Sequence, residues 1–152
     1  MTYSPQSLYP QRMYQNILVA LDGSPRAAVV LRHAIAIAER FGAKLHLCRA
    51  VNIPLGLPPD AWTLTGDELT AALIDGATKE LSDAAITVPD AHRGQIICKL
   101  GRPAKIIEDA AEALAVDLVI IGSHGYHALD KLLGTTAARV VNHATRPVLV
   151  VR

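Results

Sequence analysis

Two short glycine elements are the places where this chain could do chemistry. Gly122-Ser123-His124-Gly125 follows an apolar run, and Gly134-Thr135-Thr136 comes eight residues later. Glycines after a strand let the backbone approach an anion closely. Backbone N–H groups and hydroxyls at the start of the following helix can hold phosphate oxygens. The same residues also suit a plainer role, in which the glycines make tight turns and Thr135 or Thr136 caps a helix. Asp22 offers a similar choice after an earlier apolar run. It caps the turn Asp22–Pro25, or its carboxylate accepts hydrogen bonds from the hydroxyls or an amine of a ligand, or it helps to hold a magnesium ion. Direct binding to phosphate is excluded, because like charges repel.

Other site chemistries find little support. No GxxxxGK[ST] stretch is present, so a P-loop ATPase is excluded. The loop after the first strand holds only Gly23, which is too little for a GxGxxG dinucleotide fingerprint. No Ser-His-Asp set stands at recognisable spacing and no general base for fast hydrolysis is evident, so no catalytic residue is expected. Of the six histidines, His124 and His127 fall near the glycine elements. His124 either bonds a phosphate or merely fills a loop position. Without a Cys or Glu partner at ligand spacing, no metal site is expected. Cys48 and Cys98 lie in apolar runs without CxxC spacing and read as small hydrophobes.

The elements that must position these residues follow from the apolar pattern. With 152 residues, 51% hydrophobic but only 4% aromatic, the core must be built from Ala, Val, Ile and Leu. That is the usual fill of parallel strands covered by helices. Strands are expected over Asn16–Leu21, Lys44–Val51, Gln95–Leu100, Asp117–Ile121 and Pro147–Val151. Ser24 with Pro25 reads as a helix start, a capping hydroxyl before a first-turn proline. Val30, Ala34, Ile37 and Phe41 share one face of that helix, and Gly42 reads as the left-handed residue closing it. Pro103 suits the first turn of a later helix. Further helices are expected over Asp67–Ala85, Ala104–Leu114 and Ala137–His143, with a short helical piece over Ala128–Leu133. Asn52–Gly66 reads as a long irregular segment or lid. Four crossovers between five apolar strands define a three-layer α/β sandwich with a parallel sheet. A doubly wound order would bring the first and fourth strands together, so that the loops at Asp22 and Gly122 meet. Residues 1–15 read as a flexible N-terminal arm, and residues 16–152 as one domain.

The sequence resembles the universal stress proteins. The stretches that carry the resemblance are YQNILVALDGS (14–24), KLGRPAKII (99–107), DLVIIGSHG (117–125) and LLGTTAARVVNHATRPVLVVR (132–152). It implies a Rossmann-like five-stranded parallel sheet in the order 3-2-1-4-5. It also implies the G-x2-G-x9-G-[S/T] motif of the nucleotide-binding branch, here on Gly122, Gly125, Gly134 and Thr135. Thr136 supplies the next hydroxyl, and the spacer has eight residues instead of nine. By the same resemblance Ala20 and Asp22 lie at the ribose or adenine side, Ala50 and Val51 contact adenine, and Gly101 lies on another loop at the mouth. ATP, with magnesium as an optional companion, is the implied ligand. A homodimer through the final strand, Pro147 to Val151, is the implied assembly. The plainer alternative for that strand is a covered internal position.

Charge bounds the partners. Fifteen basic residues against fourteen acidic ones leave a formal net charge of +1. Such a balance gives no long-range attraction to nucleic acid or to an anionic membrane. No apolar run reaches the roughly 18 residues of a membrane helix, and a cytoplasmic location is expected. The functional expectation is an ATP-binding regulatory or stress-response module. The alternatives are a nucleotide-free interaction module, with Trp62 on a partner surface, and a slow ATP hydrolase.

Overall fold

The computed structural model describes residues 13–123 and 133–152. Five strands form one parallel sheet: β1 (Asn16–Ala20), β2 (Lys44–Val51), β3 (Arg93–Leu100), β4 (Leu118–Gly122) and β5 (Val148–Val151). Their order is β3-β2-β1-β4-β5, as the family resemblance implied. The helices are α1 (Ala27–Phe41), α2 (Gly66–Ala85), α3 (Pro103–Ala113) and α4 (Thr135–His143). β1 pairs with β2 on one side and β4 on the other, with Leu18 opposite both His46 and Val119. The strand order reverses at β1, so the crevice lies at the carboxyl ends of β1 and β4.

Strand alternation sends side chains to two cores. Ile17, Val19, Leu45, Leu47 and Ile120 pack with Val30, Ala34 and Ala38 of α1 and Leu81 of α2. Leu18, Cys48, Val119 and Ile121 pack with Ile106, Ile107 and Ala110 of α3 and Val140 of α4. Small residues on α1 and α3 let both helices sit close to the sheet. Cys48 joins the second core while Cys98 packs against the first, so their thiols lie on opposite faces of the sheet. Both are free.

Several local expectations are realised. Gly42 closes α1 in the left-handed region at φ 70°, and Pro103 opens the first turn of α3. Others are corrected. The hydroxyl of Ser24 does not cap α1. The residue before the helix is Arg26, without a side-chain cap, and Ser24 instead belongs to a turn in which its N–H donates to Asp22 Oδ1 at 2.9 Å. Phe41, placed by periodicity on the buried face, is 40% exposed. It meets Tyr14 edge-on, with ring centroids 5.1 Å apart. The segment between β2 and α2 is irregular apart from a 3-10 turn over Pro59–Thr63. Thr65 and Glu68 form a capping box that starts α2. Periodicity alone does not reveal such a box.

Only the last three residues of the expected arm are described. Tyr14 packs on Phe41, and the Gln15 N–H donates to Asp117 Oδ2 at 2.8 Å. The helical piece expected over Ala128–Leu133 lies outside the described residues, apart from Leu133. No helix among the described residues is long and apolar enough to cross a membrane.

Candidate functional site: a cavity at the carboxyl ends of the central strands

The ends of β1, β2 and β4 open into a cavity of about 1030 Å³, walled by the β1–α1 loop, α2, α3 and the start of α4. Ala20, Asp22, Ala50, Val51, Gly122, Gly134, Thr135 and Thr136 all line it. The expected meeting of the Asp22 loop with the Gly122 and Gly134 elements therefore occurs. Gly101 is not part of the lining. It sits behind the end of β2, where its N–H donates to the Val51 carbonyl at 3.1 Å. Its φ of 143° explains the glycine. His124 and Gly125 lie outside the described residues, as does His127.

The end of β4 and the start of α4 are fastened together. The Ser123 N–H donates to the Val151 carbonyl, and the Gly134 N–H donates to the Ser123 carbonyl, both at 2.7 Å. Gly134 precedes α4 with φ −60° and ψ 156°, and among the described residues no side chain caps the helix. The first-turn N–H groups of an uncapped helix carry its positive dipole end. Thr135, Thr136 and Ala137 bring that end to the cavity wall. The backbone at Gly134 is ordinary extended geometry. Glycine is therefore not required there for conformation, and what it supplies is the absence of a side chain.

Across the cavity stands the β1–α1 loop. Ser24 is only 6% exposed, and its Oγ has no hydrogen-bond partner. A buried, unpaired hydroxyl is costly in isolation and suits a site completed by a polar ligand. Asp22 is exposed beside it. Two opposite-charge groups come from the β2 side: Arg49, whose Nη1 donates to the carboxylate of Glu80 on α2. Arg26 also reaches the lining, so the described walls carry two cations and two anions. Cys48 forms part of the floor, and burial pushes its thiol up to about 12. Among the described residues, no group of His, Cys, Asp and Glu is placed to hold a metal ion.

Sequence reasoning did not single out Ser24 or Glu80 as site residues. Ser24 was readable as a neighbour of Asp22 on one loop. Glu80 was not, because only the fold carries α2 back over the end of β2. Gly76 of α2 also belongs to the lining. A Cβ built there would meet nothing within 4 Å.

A Rossmann-like sheet with an uncapped helix start at its crevice defines a class of phosphate-compatible α/β domains. The family follows from comparison. The model of the universal stress protein family matches residues 13–152, and the chain belongs to that family. Universal stress protein A homolog 1 of Coxiella burnetii is 31% identical over 139 residues, covering 91% of this chain and 96% of the relative. The solved universal stress protein UspA of Lactobacillus plantarum is 29% identical with a TM-score of 0.70, covering 91% of this chain and 98% of that one. A universal stress protein solved in complex with cAMP is 26% identical with a TM-score of 0.62, covering 92% of this chain and 98% of that one.

Proposed function

We propose that this protein binds ATP in the cavity and acts as a regulatory module in stress response. One observation carries the reading: the uncapped start of α4 faces the Asp22–Ser24 loop across a cavity large enough for a nucleotide. The N–H groups of α4 receive phosphate oxygens, aided by the Thr135 and Thr136 hydroxyls. Asp22 accepts from ribose hydroxyls or the adenine amine, or helps to hold magnesium. Ala20, Ala50 and Val51 supply apolar walls. The cAMP complex of a 26% identical relative supports the nucleotide class.

The reading is binding and not turnover: of the two carboxylates that line the cavity, Glu80 is tied to Arg49 and Asp22 is given to the ribose or adenine. Isothermal titration of ligand-stripped protein with ATP, with and without magnesium, tests the reading. Saturable heat is expected, and none at millimolar ATP would remove it. Mass spectrometry of the molecule released on denaturing freshly purified protein would identify the nucleotide.

The assembly belongs to the same proposal. β5 is an edge strand whose Leu149 is 36% exposed, and it pairs with a second copy to form a homodimer. Light scattering should give twice the chain mass, and Leu149→Lys should lower it. Two free cysteines fit the reducing conditions of a cytoplasmic location. A second reading, a nucleotide-free interaction module, draws on Trp62, which is 75% exposed on the segment before α2. A partner retained equally by wild type and by a Gly122 variant that no longer binds ATP would favour it.

A further inference from the structure

The guanidinium of Arg49 lies flat against Gly23. A Cβ built on Gly23 would stand 2.6 Å from Arg49 Nη2, 2.7 Å from Cζ and 2.9 Å from Nη1. An edge-on approach would leave Cζ the farthest of the three. The near-equal distances therefore mean that the plane is met on its face. Gly23 is in the left-handed region at φ 74°, and its missing side chain admits the guanidinium. In the plane, Nη1 is held by Glu80 of α2. The loop thus covers one face, Glu80 holds one edge, and the Arg49 side chain keeps 19% exposure in the cavity wall.

We infer that the opposite face of this guanidinium is the platform on which the base of the bound nucleotide stacks. The inference rests on the nucleotide reading above and adds a base-positioning residue to it. A guanidinium is planar, delocalised and weakly hydrated, so it stacks on aromatic faces where an ammonium does not. Arg49 also stands at the right end of the cavity. β2 and β4 flank β1, so Arg49 lies two strand spacings, roughly 10 Å, from the strand that leads to α4. A ligand anchored by phosphate at α4 extends its base toward β2. Gly23 and Glu80 hold the platform before the ligand arrives, so little side-chain freedom is lost on binding.

Stacking depends on the π-face and not on the phosphates, and the test exploits that difference. Full-length wild type, Arg49→Ala and Arg49→Lys are titrated with ATP and with inorganic tripolyphosphate. Both variants should lose ATP affinity roughly 5- to 30-fold while tripolyphosphate affinity stays unchanged. Wild type saturated with ATP should show nuclear Overhauser contacts from adenine H2 or H8 to the Arg49 Cδ protons, a readout that needs no variant. Full retention of ATP by Arg49→Lys, or equal losses for both ligands, would assign Arg49 a charge role and overturn the platform. An absence of those contacts in ATP-bound wild type would do the same. Wild type that binds no ATP at all would instead bring down the nucleotide reading.

Discussion

Gly134 donates its backbone N–H to the carbonyl of Ser123 at 2.7 Å, and this bond fixes where α4 begins relative to the end of β4. Ser123 is in turn bonded through its own N–H to Val151, so the helix start is tied to two strands. For the proposed nucleotide, this fastening holds the first turn of α4 in place before the phosphate arrives.

Gly134→Asp separates binding from stability. The extended backbone at Gly134 suits residues other than glycine that keep the N–H, and aspartate is a preferred helix cap. Its carboxylate also favours the positive helix end, so the variant should gain a few tenths to about 1 kcal/mol. The same carboxylate occupies the place of the phosphate and repels it. ATP affinity should fall more than about tenfold while the thermal midpoint holds or rises. A variant that binds ATP as wild type does would place the phosphates elsewhere.

His46 sets a pH dependence. It is 8% exposed, and its Nδ1 accepts the Gln95 N–H at 3.0 Å, which leaves the ring proton on Nε2, 3.2 Å from Asn16 Oδ1. The Gln95 bond stands where the β2–β3 pairing shifts register. Burial first, and then the nearby Lys44, hold the imidazole below its ordinary pKa. The unfolded chain therefore binds the proton more readily. Stability is complete above about pH 6.5 and is lost as pH falls toward the lowered folded value. His46→Gln can keep a donor and an acceptor without titrating. Urea unfolding between pH 7.5 and 5.5 should show wild type losing stability relative to the variant. Parallel profiles would sink the assignment.

The legible parts of this chain were those governed by local rules. The apolar runs of Asn16–Leu21 and Lys44–Val51, the glycine after α1 and the proline opening α3 each act within a few residues, and the structure follows them. The site was legible once the family resemblance supplied the strand order, because neighbouring β1 and β4 bring the loop at Asp22 to Gly122. What escaped depends on tertiary contact. The Arg49–Glu80 pair joins residues 31 apart, and nothing in either neighbourhood announces it. His46 carried no signal as a lone polar residue in an apolar strand. Its acceptor role arises only because β3 shifts register beside it. Ser24 was read as a cap because serine before proline usually is one, but here the helix begins later, after Arg26.

The two cysteines should differ in reactivity. Thiolate is the reacting species, and burial pushes the Cys48 thiol up to about 12, so almost none is ionised at pH 8. Cys98 is only half-buried. Iodoacetamide applied to native protein should modify the Cys98 peptide and spare Cys48, whereas denatured protein should carry two labels. Mass spectrometry of the digested peptides reads the result. Rapid native labelling of Cys48 would mean that the cavity floor opens.

Ser24→Ala should move stability and binding in opposite directions. In the structure the hydroxyl is buried without a partner, a condition that costs the fold about 1–3 kcal/mol of desolvation. Removing it should therefore leave nucleotide-free protein unchanged or stabilise it by up to about 1 kcal/mol, because the turn is held by the backbone bond to Asp22 Oδ1 and not by the hydroxyl. If a nucleotide supplies the missing partner, the alanine variant loses that bond, and ATP affinity should fall roughly fivefold. Thermal unfolding with and without saturating ATP measures both effects on one sample. The ATP-induced rise in midpoint should be smaller for the variant, even where its ligand-free midpoint is higher. A variant that is destabilised without ligand would mean that the hydroxyl is already satisfied in solution. An unchanged ATP-induced rise would mean that the ligand never reaches it.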